Sequence, residues 1–295
     1  MNKIISERRN HKSFYSRLLN KLMNYELKKR SAEHNERRGF PIAVFGNDLI
    51  GIKINIDGIY EGEHIEDLFH LLKKIDIDVQ NSTAIDIGAN IGNHSIEFSK
   101  FFANVICFEP NPRTFDILAA NTKRIHNVQI FPWGCSSKVN KIKFHEDFNN
   151  IGASSRVVDI NSDSDFEVYV KPLDEMIETL RNVSLIKIDV EGMEFSALKG
   201  AEKVITKYYP VICFEQHESE FDSEFNETKS INWLRSKGYK IFSLAHKKRR
   251  NTVIKKLHNL KQLLFGYNEH RAIIEYEKLP KATYSMIYAV HSNFL

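Results

Sequence analysis

The fold is decided by the stretch Ala84-Ile85-Asp86-Ile87-Gly88-Ala89-Asn90-Ile91-Gly92-Asn93. It starts as a short apolar run with one acid, breaks into a glycine-containing turn, and continues into residues 94–102, whose apolar side chains recur at helical spacing. A strand, a tight turn and a helix in this order direct backbone N–H groups at the helix start toward an anionic ligand group. The stretch therefore predicts a ligand-binding turn at the end of a strand.

A second strand end indicates which kind of ligand this turn serves. The next apolar run, residues 105–108, is followed by Glu109 and Pro110, and Glu109 lies 23 residues after Asp86. An acid about 20 residues beyond a glycine turn is typical of a residue that binds a ribose. We therefore expect a nucleoside-containing cofactor across the ends of two parallel strands. The alternative is structural: the glycines only close a turn, and Asp86 caps the following helix.

The turn itself excludes two common cofactor classes. A dinucleotide fingerprint reads G-x-G-x-x-G, but the three glycine positions hold Gly88, Asn90 and Asn93. No Gly-Lys-Ser/Thr ending is present to hold a triphosphate. The remaining pattern, Asp-x-Gly-x-Asn-x-Gly from Asp86 to Gly92, resembles the first motif of the S-adenosylmethionine (SAM) methyltransferases.

Length, charge and cysteine content limit the remaining possibilities. The chain has 295 residues, 42% of them hydrophobic, and a net charge of +4, which suits one large α/β domain with appendages. It contains no run of about 18 uncharged apolar residues that would span a membrane, and its basic N-terminus lacks the apolar core of a secretory signal. Cys107, Cys135 and Cys213 are too far apart for a metal cluster, so we expect buried thiols in a reducing, cytoplasmic compartment.

Residues 1–39 differ from the rest of the chain in composition. Lys and Arg outnumber the acids there, and Phe14, Leu18, Leu22 and Tyr25 recur at three- and four-residue intervals. This spacing predicts an amphipathic helix in a basic N-terminal extension. Two interpretations remain open: a helix or partly ordered tail that belongs to the main domain, or a surface that docks on an anionic membrane or an acidic partner.

The main domain is expected to cover residues 40–295. Residues 49–56 alternate in period two and predict a β element, which forms a lid region over 40–80 with the helix that follows. From residue 81 onward, strands and helices alternate, which predicts a mostly parallel sheet covered on both faces. Two insertions interrupt this alternation: a β-hairpin at 136–172, and a basic helical insert at 247–270, read either as a solvated face or as a binder of anionic substrates.

A second chemically distinctive stretch runs from Leu185 to Gly192 and contains Lys187, Asp189 and Glu191. Residues two apart share one face of a strand, so these three side chains point the same way if the strand extends that far. A lysine inside a covered sheet is costly unless it is paired. We therefore expect a Lys–Asp ion pair at the open edge of the sheet. The structural alternative is an ion pair without a catalytic role, with Glu191 as a helix cap.

Four blocks together resemble the FkbM family of SAM-dependent methyltransferases. They are Ile85 to Asn93, Phe108-Glu109-Pro110-Asn111, Leu173-Asp174-Glu175, and Ile186 to Glu194 with Lys199-Gly200-Ala201. The resemblance covers about residues 50–220. It implies a Rossmann-like, seven-stranded class I methyltransferase sheet whose last strand is antiparallel. It also implies SAM as the cofactor and O-methylation of a hydroxyl on a sugar, glycan or related small molecule, as in polysaccharide modification.

The candidate site residues follow from these blocks and from the strand ends. The resemblance makes Glu109 the ribose acid and places Asp189 and Glu191 beside the substrate. Trp133, at the end of the third strand, is a candidate for stacking on adenine, and ordinary core packing is the equal alternative. The predicted cofactor-binding residues are Asp86, Gly88, Ala89, Asn90, Gly92, Glu109, Pro110 and Trp133, and the predicted catalytic residues are Lys187, Asp189, Glu191 and His217.

Two aspects of the chemistry stay open in the sequence. The base that takes the hydroxyl proton is Asp189, Glu191 or His217, of which His217 is the side chain that titrates near neutrality. Asp189, Glu191 and Glu215 are also of the type that binds Mg²⁺, although we predict no metal.

Two other functions compete with glycan methylation. The first is a methyltransferase that acts on RNA or protein, which the basic segments 1–39 and 247–270 favour. The chain lacks the Asn/Asp-Pro-Pro-Tyr signature of many enzymes that methylate nucleic acids on nitrogen and has Asp-Val-Glu-Gly at that strand end. The second is a non-catalytic SAM-fold binding module, against which the intact acids in both blocks argue.

Overall fold

The computed structural model describes residues 13–145, 165–221, 227–244 and 271–295. By its internal contacts the chain forms two compact units, Met1–Tyr60 and Glu61–Leu295. The boundary between the units therefore falls after Tyr60, whereas the change in composition falls near residue 39.

The first unit contains two helices, α1 (Phe14–Arg38) and α2 (Leu49–Asp57). The predicted helix in the basic extension is thus confirmed, but the predicted strand over residues 49–56 is wrong. Asp48 caps α2 by accepting a hydrogen bond from the N–H of Gly51, and Gly58 ends it in the left-handed conformation. These two local signals outweigh the period-two alternation, and the Asp-Gly pair that suggested a hairpin turn is a helix end.

Arginines of α1 hold the end of α2. Arg30 donates to the carbonyl of Ile56 at 2.8 Å, and Arg38 donates to the carbonyl of Gly58 at 2.6 Å. The last carbonyls of a helix have no partner within the helix, so guanidinium groups at this end satisfy them and also complement the helix dipole. Arg37 also donates to the carbonyl of Asp57. Three basic residues of the extension, Arg30, Arg37 and Arg38, therefore have a structural role.

The second unit consists of alternating helices and strands. Its helices are α3 (Gly62–Lys74), α4 (Asn93–Phe98), α5 (Pro112–Thr122), α6 (Glu194–Gly200), α7 (Glu202–Tyr208) and α8 (Lys229–Ser236). Its strands are β1 (Thr83–Ile87), β2 (Asn104–Phe108), β3 (Val128–Phe131), β4 (Gly134–Cys135), β5 (Asn140–His145), β6 (Asp165–Lys171), β7 (Val183–Ile188), β8 (Val211–Gln216), β9 (Tyr239–Leu244), β10 (Ile273–Tyr276) and β11 (Tyr284–His291).

Among the described residues, eight strands form the main sheet in the order β10-β9-β11-β8-β7-β1-β2-β3. Strands β3, β2, β1, β7 and β8 are parallel, and β11 is antiparallel to both of its neighbours, β8 and β9. The mostly parallel sheet with an antiparallel last strand is thus confirmed. Within the described ranges, β10 adds an antiparallel strand at the edge beside β9, which brings this sheet to eight strands where the sequence predicted seven.

The predicted β-hairpin insertion is present as β5 and β6, which pair antiparallel and join β4 in a separate three-stranded sheet. The polar loop that connects β5 to β6 lies outside the described residues. The basic helical insert predicted at 247–270 also lies outside them.

Both faces of the main sheet are covered, as the sequence predicted. One buried cluster joins Ile186 to Leu198 of α6 and Leu234 of α8. The other joins Leu185 to helices α3, α4 and α5 through Leu72, Phe98 and Leu118. All three cysteines are buried and free. Within the described ranges, no helix combines the length and the apolar content needed to cross a bilayer.

Candidate functional site

A row of acids lies where four neighbouring parallel strands end. Lys187 of β7 is in register with Asp86 of β1 on one side and with Cys213 of β8 on the other. Two residues further along, on the same face of the sheet, are Asp189 and Glu215. Glu109 occupies the matching position after β2, since Cys107 pairs with Asp86. The carboxylates of Glu109, Asp189 and Glu215 therefore share one edge of the sheet.

The glycine turn after β1 fits tightly against its neighbours. Gly88 has a φ of +78°, and a Cβ at this position would collide with the carbonyl oxygen of Asp189, so no other residue fits without a shift. The N–H groups of Gly88 and Ala89 both donate to the carbonyl of Phe108, at 2.9 and 3.0 Å. The N–H of Gly92 donates to Ala89. The N–H groups of Gly88 and Ala89 thus join β1 to β2, and an anionic ligand group at the helix start stays a prediction.

Glu109 links the turn to the second strand. Its Oε2 accepts the N–H of Asn90 at 3.0 Å, and its Oε1 accepts the N–H of Asn111 at 2.8 Å. Burial raises the pKa of Glu109 to about 7, although these two N–H groups act in the opposite direction. A carboxylate accepts about four hydrogen bonds, so each oxygen has capacity for one further donor. Two donors on neighbouring atoms, such as the hydroxyls of a ribose, match this capacity.

Asp86 lies beneath the turn and is completely buried. Its Oδ2 accepts a hydrogen bond from Ser95 of α4 at 2.6 Å, and its Oδ1 lies 3.4 Å from the Nζ of Lys187. Asp86 therefore binds the helix that follows through a side chain within it and does not cap that helix, whose cap position is Gly92. Direct contact between Asp86 and a cofactor stays a prediction.

Lys187 joins the buried Asp86 to the more exposed Asp189. Its Nζ lies 3.2 Å from the Oδ2 of Asp189, so the predicted Lys–Asp pair is present and has a second acid. Burial disfavours the ammonium, but the carboxylates of Asp189 and Asp86 outweigh this effect and raise the pKa of Lys187. Lys187 thus stays positively charged, and its ammonium holds Asp189 at the edge of the sheet.

Glu191 does not continue the face of Lys187 and Asp189, because β7 ends at Ile188. The chain turns there, with φ of +51° at Glu191 and +92° at Gly192. Glu194 holds this turn, since its Oε1 accepts the N–H groups of Gly192 at 3.0 Å and Val190 at 3.4 Å. Sequence reasoning missed this role of Glu194, although a carboxylate two residues after a glycine at a helix start was a signal for it.

Glu215 and His217 lie at the end of β8. The Nε2 of His217 is 3.7 Å from Oε1 of Glu215. Burial raises the pKa of Glu215 to about 7, with contributions from Asp189, Glu191 and Glu61, while His217 lowers it. The sequence pattern indicates Glu215 only as a candidate Mg²⁺ ligand.

Glu61, the residue before α3, reaches the same group of acids. Its φ is +54°, and its side chain does not cap α3. Its Oε2 lies 3.5 Å from Nε2 of the buried His94, whose pKa is lowered well below the usual value by burial and by Lys187. A neutral imidazole thus lies beside Glu61. His94 was missed by sequence reasoning, because nothing in its local pattern separates it from the rest of α4.

Two predicted cofactor residues, Trp133 and Pro110, pack against other parts of the chain. The ring of Trp133 is 4.3 Å from the ring of Phe108, and the Nζ of Lys171 lies 4.4 Å over it. Trp133 is buried, so these contacts match the core alternative, and stacking on adenine stays a prediction. Pro110 lies against the backbone at Gly134. In the part of the chain that the structure describes, no three His, Cys, Asp or Glu side chains are grouped so as to hold a metal ion.

Comparison with known families identifies this arrangement. The model of the methyltransferase FkbM domain matches residues 86–241, which is more than half of the chain and includes the whole row of acids. The chain belongs to the FkbM methyltransferase family. The family resemblance drawn from the sequence motifs is thus confirmed.

Individual relatives are more distant. Hexuronic acid methyltransferase AglP of Haloferax volcanii is 34% identical over 118 residues, which are 39% of this chain and 48% of the relative. The 2-O-methyltransferase NoeI of Sinorhizobium fredii is 25% identical over 144 residues, 42% of this chain and 58% of the relative. The chain thus spans about half the length of the curated relatives it matches. The FkbM methyltransferase structure from Methylobacillus flagellatus KT has a TM-score of 0.41 and 18% identity, covering 71% of this chain and 44% of that one.

The cofactor of this FkbM domain is SAM, and the chemistry of the strand edge fits it. Glu109 offers free acceptor positions at the place where a ribose is expected, and no phosphate-binding set of N–H groups is needed for a cofactor without phosphate. The carboxylates of Asp189 and Glu215 lie at the same edge of the sheet, and their negative charge would attract the positively charged sulfonium of SAM.

Proposed function

We propose that this FkbM protein is a SAM-dependent O-methyltransferase that acts on a hydroxyl of a sugar or glycan. The observation that supports it best is the row of carboxylates from Glu109 through Asp189 to Glu215 along one edge of the sheet. Glu109 suits the ribose, and the acids at β7 and β8 suit an acceptor with hydroxyl groups. The printed names of AglP and NoeI describe a hexuronic acid methyltransferase and a 2-O-methyltransferase, which supports an oxygen acceptor on a sugar.

When it is bound, SAM supplies a methyl group on a sulfonium, which is already reactive toward an oxygen nucleophile. The residues of the chain then mainly bind and orient. Glu109 would accept hydrogen bonds from the ribose, and Asp189, held in place by Lys187, would help to position the acceptor at the sheet edge. Such alignment of two reactants lowers the barrier by removing the entropy cost of bringing them together.

The charge at the site favours a sugar over RNA. Among the described residues, Glu61, Asp189 and Glu191 all act on Glu215 electrostatically. Lys187 is already paired with two acids, Asp86 and Asp189. A phosphate backbone would be repelled by these carboxylates. The intact acids of both motif blocks, Glu109 in one and Asp189 in the other, argue against a module without catalysis.

The experiment combines SAM binding with methyl transfer. Radioactive SAM is bound to the protein on filters and is then offered with glycan, RNA and protein fractions. We expect SAM to bind and label to enter the glycan fraction. Asp189→Asn is expected to retain SAM binding and lose transfer. Label in RNA or protein, or binding of SAM without transfer to any fraction, would contradict the proposal.

We also propose that α1 contacts an anionic membrane surface. No residue of α1 is buried, and the exposed fractions of Phe14, Leu18, Leu22 and Tyr25, which share one face, are between 46% and 75%. The first twelve residues of α1 contain basic side chains and no acid. An exposed apolar stripe beside cations is typical of a helix that lies in a membrane interface. The free cysteines support a cytoplasmic location, so we place this contact on the inner surface.

Vesicle sedimentation tests this contact. The protein is expected to bind vesicles with 30% anionic lipid, to bind neutral vesicles weakly, and to be released by salt. Leu18→Ser with Leu22→Ser should reduce binding at least about tenfold, because each change removes a buried side chain from the bilayer. Leu27→Ser, on another face of α1, is the matched control. Dimerisation that depends on Leu22, without vesicle binding, would assign the face to a second copy and contradict the proposal.

A further inference from the structure

The end of β8 brings a carboxylate next to Asp189 that the proposed function leaves without a defined task. Ile188 of β7 pairs with Phe214 of β8, so the following residues, Asp189 and Glu215, are neighbours at the carboxyl edge. The N–H of Asp189 still donates to the carbonyl of Ile87 at 3.0 Å, which keeps Asp189 in line with the sheet. The side chain of Glu215 is 34% exposed, so a ligand above the edge can reach it.

The position of Glu215 along the row places it at the acceptor end. Strands β2, β1, β7 and β8 are consecutive in the sheet, and neighbouring strands lie about 4.8 Å apart. Glu109 and Glu215 are thus separated by roughly three strand spacings, about 14 Å. With the ribose at Glu109, the acceptor would lie at the other end of the row, near β7 and β8.

We propose that Glu215 is the general base of the reaction and takes the proton of the acceptor hydroxyl; this assignment rests on the proposed O-methyltransferase function. The acceptor oxygen forms a bond to the methyl carbon as the carbon–sulfur bond breaks, and the bonding electrons go to sulfur. The O–H electron pair stays on the oxygen, and the proton ends on a carboxylate oxygen of Glu215. The positive charge of the sulfonium and the negative charge of Glu215 disappear together, so the step is balanced.

Two other candidate bases fit this task less well. The Oδ2 of Asp189 is bound to the ammonium of Lys187 at 3.2 Å, which occupies that oxygen. His217 is the residue after the end of β8, and its Nε2 lies 3.7 Å from Glu215, so it is a neighbour of the base at the more exposed side. If Glu215 is the base, one of its carboxylate oxygens remains available to the acceptor. This oxygen lies on the face of the sheet that Glu215 shares with Asp189.

The charges around Glu215 bring its pKa into the range that suits a general base. Asp189 and Glu191 face it from the end of β7, Glu61 from the start of α3, and His217 from its own strand end. Strand β11, on the other side of β8, has no Asp, Glu, Lys or Arg between Tyr284 and His291. The burial and the three carboxylates together raise the pKa of Glu215 to about 7. A general base is most effective when its pKa lies near the working pH.

The first test needs no substrate. Protein labelled with ¹³C at the glutamate side-chain carboxyl is titrated by NMR, and the resonance of Glu215 is found by its absence in Glu215→Gln. We expect this resonance to titrate near pH 7, and to titrate at lower pH in Asp189→Asn, because a neighbouring negative charge is removed. Glu218→Gln, an exposed acid three residues away, is the matched control and should leave the resonance unchanged. A Glu215 resonance that titrates below pH 5 would overturn the proposal.

The second test measures binding and turnover separately. Methyl transfer is assayed to an oligosaccharide that ends in a hexuronic acid and to one that ends in a neutral hexose. We expect Glu215→Gln to bind SAM within about twofold of wild type, to lower kcat by about 10²- to 10⁴-fold, and to lose the rise in rate between pH 6 and 8. Glu215→Asp should recover part of the rate.

The outcomes distinguish a failure of the Glu215 assignment from a failure of the proposed function. Wild-type protein that binds SAM but methylates neither sugar would contradict the sugar acceptor, while the NMR titration still decides on Glu215. If the pH-dependent rise is lost in His217→Asn and kept in Glu215→Gln, the base is His217 and the proposal is wrong.

Discussion

Glu109 joins the glycine turn to the neighbouring strand, because each of its carboxylate oxygens accepts one backbone N–H. These two hydrogen bonds keep the carboxylate in place before any cofactor arrives. Its burial, however, favours the protonated form and raises its pKa to about 7. The residue that fits a ribose is therefore also a residue whose charge changes near neutral pH.

This titration predicts that SAM affinity depends on pH. An ionised Glu109 accepts hydrogen bonds from both ribose hydroxyls, whereas a protonated one has lost an acceptor position, so affinity should rise as the pH increases through about 7. With a pKa of about 7, the ionised fraction, and hence the affinity, increases about tenfold between pH 6 and pH 8. Isothermal titration at both pH values measures this change.

Two variants distinguish the effect of Glu109 on SAM affinity from that of Glu215, whose pKa is also raised to about 7. Glu109→Gln should bind SAM weakly at both pH values, because an amide replaces one acceptor by a donor. Glu215→Gln should keep the wild-type pH dependence, since Glu215 lies three strands away. A wild-type affinity that is equal at pH 6 and pH 8 would remove Glu109 from the cofactor site.

At the scale of elements, α7 begins with a cap that comes from another part of the chain. Asp174 lies in the Leu173-Asp174-Glu175 block, just after Pro172, and a cap on its own helix is the default role of an Asp near a helix start. Its Oδ2 and Oδ1 instead accept the N–H groups of Lys203 and Val204, both at 3.0 Å. These are N–H groups in the first turn of α7, which have no partner within the helix.

Removal of this cap should lower stability without affecting the site. Asp174→Ala is expected to cost about 0.5–2 kcal/mol, which corresponds to a fall in Tm of roughly 2–4 °C for each kcal/mol in a unit of this size. Glu178→Ala, an exposed acid close by, serves as the control and should change Tm little. Thermal unfolding followed by circular dichroism measures both. An unchanged Tm in Asp174→Ala would show that water replaces the cap at no cost.

The sequence predicted those elements whose local and tertiary signals agree. The turn at Gly88, the acid Glu109 and the Lys187–Asp189 pair are close to strand ends, and parallel strands bring their ends to one edge, so motif spacing was sufficient. The helix at Leu49–Asp57 was missed because the alternation of isoleucines favoured a strand, while the decisive capping residues lie just outside it. Strand β10 was missed because its pairing with β9 depends on distant parts of the chain.

The site itself was predicted less completely than the fold. The roles of Glu61, His94 and Glu194 depend on how loops fold back onto the strand edge, and no periodic pattern records this. Glu191 does not continue the alternation of β7, because the strand ends three residues before it, at a left-handed turn that Gly192 allows. Strand ends are set by such local backbone conformations, which period-two reasoning does not include.

At the scale of the whole molecule, cofactor binding should stabilise the second unit, because the proposed SAM site joins β1, β2, β7 and the loops that follow them. A ligand that binds only the folded state adds about 2.7 kcal/mol at a concentration of 100 times Kd. For a unit of this size, this predicts an increase in Tm of roughly 5–10 °C.

S-adenosylhomocysteine, which has no methyl group to transfer, should act similarly. Glu109→Gln should show a smaller shift at the same concentration, and Glu218→Gln the full shift. Differential scanning calorimetry with and without SAM measures the change. Equal shifts in wild type and Glu109→Gln would place the cofactor elsewhere, because stabilisation by a ligand follows its affinity at the site where it binds.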